Sequence, residues 1–327
     1  MEKSNPFSFS IEKKKTYHVI TLSYSPTNHR RGITASVAPE LGSNLFSLTF
    51  GGDDIIISDK KLLEQCGFTG NFPLFPTPNR VRDFVYTWGK KRYTMKKRGK
   101  TVLIHGLVFN EPWKFTKPKV SERGVTFKTS IEISKTSPLF TAFPFPCTLS
   151  LEYKLYAKGI KVTYTVKNNG SSDLPFGFAL HPYFARLSGS DKTMISVPAR
   201  SWMESPKTTL LPTGRLIPVA GKPYDLTRPR PLSSLNLDHV FTGFKPKSNA
   251  YIDYKRQSVR VTLKASADFT HAVVYTGSPD AVCIENQTCS TDAHNLWAKG
   301  FKKESHLLTI KPKRTRNGFV AYEVTSY

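Results

Sequence analysis

The sequence predicts an all-β fold, a large antiparallel β-sandwich with few short helices. Three observations carry this. Apolar residues recur at every second position in several segments, helix-period stretches are scarce, and no strand–long helix–strand rhythm appears. In chain order, Ser58 to Gln65 reads as a short helix with Asp59 near its start. Trp88-Gly89-Lys90 offers a tight turn. Val125, Phe127, Ile131 and Ile133 then alternate with Lys128 and Glu132. Leu149, Leu151, Tyr153 and Leu155 alternate with Ser150, Glu152 and Lys154, and Val162, Tyr164 and Val166 alternate with Lys161, Thr163, Thr165 and Lys167. Tyr156-Ala157-Lys158-Gly159 joins these two strands as a hairpin. Val259, Val261 and Leu263 form another such strand, with Arg260, Thr262 and Lys264 facing water. Thr291 to Ala298 reads as a second short helix, capped by Ser290 or Thr291. Pro-rich stretches (Phe72 to Pro78, Phe143 to Pro146) interrupt strands without marking a boundary, so residues 1–327 are expected to form a single domain.

Composition narrows the class. The 327 residues are 39% hydrophobic and 12% aromatic, enough for a large core. No apolar run reaches the roughly 18 residues of a membrane helix. Met1 to Pro6 leads into polar sequence without an apolar h-region, so no signal peptide is expected. Cys66, Cys147, Cys283 and Cys289 form neither a C-x-x-C pair nor a zinc pattern, and they fit a reducing, cytoplasmic setting. Lys and Arg number 48 against 24 Asp and Glu, a formal net charge of +24. The densest basic runs are Gly89 to Lys100 and Lys311 to Arg316. Basic residues are otherwise spread along the polar sides of strands, which argues for a generally basic surface and against a dedicated nucleic-acid stripe. The sequence leaves the oligomeric state open.

Several polar residues interrupt apolar sequence. His181 lies in Phe178-Ala179-Leu180-His181-Pro182-Tyr183-Phe184, where Pro182 biases it to an extended conformation. Glu285 ends the apolar stretch Ala281 to Ile284, where a carboxylate is costly to bury unless paired, and Asn286, Gln287 and Thr288 offer local hydrogen bonds. Asn79 and Arg80 follow a rigid Pro-x-Pro, His105 precedes Gly106, and Asp238 precedes apolar anchors. Each has a plain structural alternative: a core histidine, a strand end, a surface acid. Together His181 and Glu285 are an acid–base pair in prospect. No metal-ligand pattern, nucleotide loop or nucleophile elbow is present, so neither metal nor cofactor is expected.

Taken in order, these clusters resemble the aldose 1-epimerase (mutarotase) family. The matching segments are Ala38 to Leu45, Leu74 to Arg80, Ile104 to Leu107, Phe178 to Phe184, Leu237 to Thr242 and Glu285 to Thr288. The resemblance implies a galactose mutarotase-like supersandwich that interconverts α and β anomers of a free aldohexose. It implies Glu285 as the base at the C1 hydroxyl and His181 as the acid at the ring oxygen. His105, Asp238, Arg80 and Asn79 would bind the sugar. A Glu285 of raised pKa and a His181 near neutrality would suit pH 7, and the two would face each other with room for a pyranose ring between them. Asn286 stands where many relatives have proline, and Phe84 where glycine is common. The basic charge keeps open a hexose-6-phosphate epimerase, although the Pro-x-Pro-Asn-Arg segment looks more like the branch acting on unphosphorylated sugars. A non-catalytic carbohydrate- or polyanion-binding protein is the remaining alternative.

Overall fold

The computed structural model describes residues 5–27, 31–245 and 248–327. The reading of Met1 to Ser4 lies outside them. Two large antiparallel sheets, of 13 and 10 strands, dominate the described residues, with four short α-helices and two 3₁₀ turns. No helix among these residues is long and apolar enough to cross a membrane.

The alternating segments gather in the ten-stranded sheet. Gly124–Ile133, Cys147–Tyr156, Gly159–Asn168, Thr315–Ser326 and Val259–Ala265 lie side by side in that order. Along Cys147–Tyr156 buried and half-exposed residues alternate without a break. Leu149, Leu151, Tyr153 and Leu155 therefore face the core, each buried side chain contributing roughly 1.5–3 kcal/mol. Tyr156 pairs with Gly159 across the expected hairpin. Gly159 has φ 153°, and a Cβ there would stand 1.9 Å from the Tyr322 carbonyl oxygen, so a side chain would break the pairing with Thr315–Ser326. The turn at Gly89-Lys90 is also present, with Trp88 opposite Lys91.

Both expected helices form. Lys60–Glu64 is capped by Asp59, whose Oδ1 accepts from Leu62 N at 2.7 Å. The second runs Ala293–Ala298, and its first flanking residue is Asp292 rather than Ser290 or Thr291. Asp292 takes φ 54° and turns its carboxylate to the backbone N–H of Arg82 and the side chain of Asn295, so it ties the helix to a distant loop.

The 13-stranded sheet carries His181, Glu285 and Asp238. Its second half runs Phe184–Ala185, Ala281–Gln287, His271–Tyr275, Asp238–Phe244 and Ala199–Met203. Glu285 and Asp238 sit on neighbouring parts of this half. The short strand Ala179–Pro182 bridges it to Asn71–Leu74, pairing Ala179 with Gln287 and His181 with Phe72.

The two basic runs are partly neutralised within the fold. Lys97 and Arg98 both pair with the buried Glu111. Lys311 pairs with Asp173 at 2.7 Å, and Arg316 binds both oxygens of Asp268.

Candidate active site

His181 is held between two aromatic faces. Phe72, opposite it in register, stacks at 4.9 Å between ring centroids, and Tyr183, two residues on and so on the same side of the strand, stacks at 5.0 Å. The His105 ring meets it edge-on at 5.0 Å. These contacts leave His181 only 5% exposed.

All seven residues of Ala281–Gln287 are buried, and the strand continues past Glu285 instead of ending there. Glu285 is 2% exposed. Its Oε1 lies 3.3 Å from His181 Nε2, and its Oε2 accepts from Gln287 Nε2 at 3.1 Å. Gln287 is two residues on and shares its face, whereas Asn286 points to the opposite face of the sheet. Thr288 serves the neighbouring strand: its Oγ1 accepts from Phe178 N, and its N–H donates to Phe178 O.

Two loops bring in the remaining residues. Asn79 and His105 both adopt left-handed backbone conformations, φ 60° and 67°, and His105 N donates to Asn79 O at 3.0 Å. Gly106 has φ 75°; a Cβ there would stand 2.3 Å from Phe75 O, so only glycine lets the loops meet. The Asn79 side chain accepts from the backbone N–H and the guanidinium of Arg80, at 2.9 and 3.0 Å. Arg80 in turn reaches 3.9 Å from Asp238 Oδ2. The six residues singled out by the sequence thus form one connected group, half-exposed at Arg80 and Asp238 and sealed at His181 and Glu285.

Burial sets the proton affinities. It pushes Glu285 up to about 8; the Gln287 hydrogen bond and Arg80 oppose this and Asp238 adds to it. It drives His181 down to about 3, so the expectation of a histidine near neutrality does not hold, because Phe72 and Tyr183 leave the imidazolium without solvation. His105 is held well below the ordinary histidine range by burial and then by His181 and Arg80. At neutral pH the His181–Glu285 pair therefore holds one proton, on the carboxyl.

The pair's spacing is a second correction. At 3.3 Å the two groups touch, with no room between them for a pyranose ring. They form one patch of wall, onto which a ligand would be laid. Phe72, Phe68 and Phe109 were not singled out from the sequence. Phe68 packs against Phe72, His105 and Phe109, and it borders a cavity of about 430 Å³ with Leu103, Ile104 and Gly106. Only strand pairing reveals Phe72 as a partner of His181, and no local spacing signals Phe68 or Phe109. Among the described residues no cluster of three or more His, Cys, Asp or Glu side chains stands ready to hold a metal ion.

The family model for aldose 1-epimerases matches residues 25–323. The chain belongs to this family. Among curated relatives of this epimerase-family chain is the uncharacterized protein YihR of Escherichia coli K12, 24% identical over 266 residues, covering 78% of this chain and 81% of YihR. Among solved structures, a galactose mutarotase-like protein from Clostridium acetobutylicum superposes with a TM-score of 0.84 at 20% identity, covering 98% of this chain and 99% of that one. Galactose 1-epimerase from Lactobacillus acidophilus gives 0.78 at 16% identity, with 99% of each chain covered. This epimerase-family chain therefore has the galactose mutarotase-like fold.

Proposed function

We propose that this protein is a cofactor-independent aldose 1-epimerase acting on a free aldohexose. The contact between His181 Nε2 and Glu285 Oε1 is the observation that carries the reading. Anomer exchange requires one proton to leave the C1 hydroxyl and another to reach the ring oxygen. Those two oxygens are both bonded to C1, so an acid and a base that serve them belong side by side, as these do.

Glu285 is the base and His181 the acid. The resting proton sits on Glu285, which is the arrangement reached after ring opening. The proton first crosses to His181 Nε2 as Arg80 draws charge onto the carboxylate. Glu285 then takes the C1 hydroxyl proton while His181 protonates the ring oxygen, and the ring opens to the aldehyde. Rotation about C1–C2 presents the other face of the carbonyl, and the reverse transfers close the other anomer. Such positioned transfers contribute roughly 10²–10⁴-fold each. His105, neutral at pH 7, Asn79, Arg80 and Asp238 hold hydroxyls.

The unphosphorylated substrate is favoured by the Pro76-Thr77-Pro78-Asn79-Arg80 segment, which resembles the branch acting on free sugars. The four cysteines are all free, which supports a reducing cytoplasmic setting. Polarimetry on freshly dissolved α-glucose or α-galactose tests the reading: the protein should accelerate mutarotation well above buffer, and more for the free sugar than for glucose 6-phosphate. Saturable sugar binding without acceleration would instead identify a binding protein.

A further inference from the structure

A cavity of about 620 Å³ opens at one end of the sandwich, on the face of the catalytic strand opposite Glu285. Both sheets line it, Thr242 to Phe244 and Asn286 from one, Ala250, Leu263 and Ala265 from the other. Its size falls within the roughly 300–1,000 Å³ of small-molecule sites.

Two features say what it would hold. Lys245, Lys303 and His306 line it, with no carboxylate side chain among the lining residues. The nearby Asp268 is occupied, bound by Arg316 and by Tyr164 at 2.9 Å. The cavity therefore favours an anion. Asn286 also lines it, is 8% exposed, and has its Oδ1 buried without a hydrogen-bond partner. A buried acceptor left unpaired is costly, and a ligand hydroxyl would relieve that cost.

We propose that this cavity is a second ligand site, for a phosphorylated molecule of sugar size, separate from the epimerase site. The phosphate meets Lys245 and Lys303, and hydroxyls meet Asn286 and the neighbouring Ser266 and Thr270. The strand Ala281–Gln287 forms a common wall between the two sites. His306, whose Nδ1 lies 2.8 Å from Thr288 O, links the cavity to the segment that also anchors Phe178, upstream of His181.

Titration calorimetry on the full chain with glucose 6-phosphate tests this. Saturable binding is expected at about millimolar strength or tighter, undiminished by excess free galactose. The double variant K245Q/K303Q, altered only at exposed positions, should weaken it by at least about tenfold, near 1.4 kcal/mol. Asn286→Leu should weaken glucose 6-phosphate while leaving inorganic phosphate unchanged. Absence of saturable binding, displacement by galactose, or full affinity in K245Q/K303Q would each overturn the proposal. Glu285→Gln should bind glucose 6-phosphate as the wild type does, so the result stands whether or not the chain proves to be an epimerase.

Discussion

His181 Nε2 lies 3.3 Å from Glu285 Oε1, and both residues are almost sealed from water. Burial opposes charge on each, so the pair carries one proton across a wide pH range. From that single proton the functional predictions follow.

The first concerns pH. His181 gains a proton only as pH falls toward about 3, and Glu285 loses its own only as pH rises through about 8. Between those values one group can donate and one accept. The kcat/KM for mutarotation should therefore hold from mildly acidic pH up to about 8 and fall above it. With ordinary side-chain values it would already decline above about 6.5, and a decline centred there would show that the pair is not buried as described.

Charge changes at the rim should move that limb in opposite directions. Arg80 lowers the proton affinity of Glu285 and Asp238 raises it. Arg80→Met should shift the alkaline limb upward and Asp238→Asn downward, each by a few tenths of a pH unit to about one. Both should also raise KM for the hexose, by about tenfold per lost hydrogen bond to a charged group. Limbs that stay fixed in both variants would remove Glu285 as the titrating group.

Stability should record the same burial. Glu285 stands at about 8 in the folded protein against 4.5 for the free side chain. Its folded value is raised, so its favourable contribution is fully present below pH 4.5 and is lost as pH rises toward 8. Glu285→Gln has no proton to lose. Between pH 5 and 8 the variant should gain on the wild type, on the order of a few kcal/mol in denaturant midpoints converted to free energy. A constant difference across that range would contradict the raised value.

Gly106→Ala tests how the loops are held. The added Cβ would clash with Phe75 O at a left-handed backbone position. A loss of about 1–3 kcal/mol is expected, with a fall in kcat because His105 and Asn79 move together. Wild-type stability and rate would show that the loop contact is dispensable.

Legibility of these features in the sequence followed burial. Leu149 to Leu155 alternates because one face of its strand meets the core and the other meets water, so inspection places it. The strand of Glu285 is covered on both sides and shows no alternation, which is why its polarity could be mistaken for a strand end. His181 and Tyr183 share a face by simple two-residue spacing, but Phe72 joins them only through the pairing of Asn71–Leu74 with Ala179–Pro182. The pairing adds Phe72 to the burial that drives His181 down to about 3. Likewise, sequence order pointed to the six candidate residues, while only the fold shows that they lie together and that His181 and Glu285 touch.

Glu285→Gln keeps the shape of the side chain, its place beside Gln287 and its contact with His181, and removes only the ability to accept and return the proton. Polarimetry of fresh α-galactose with this variant, shown by circular dichroism to be folded, tests the central claim most directly. A loss of kcat of at least about 10²–10⁴-fold is predicted; a rate equal to that of the wild type would contradict the assignment of Glu285 and His181 as the acid–base pair.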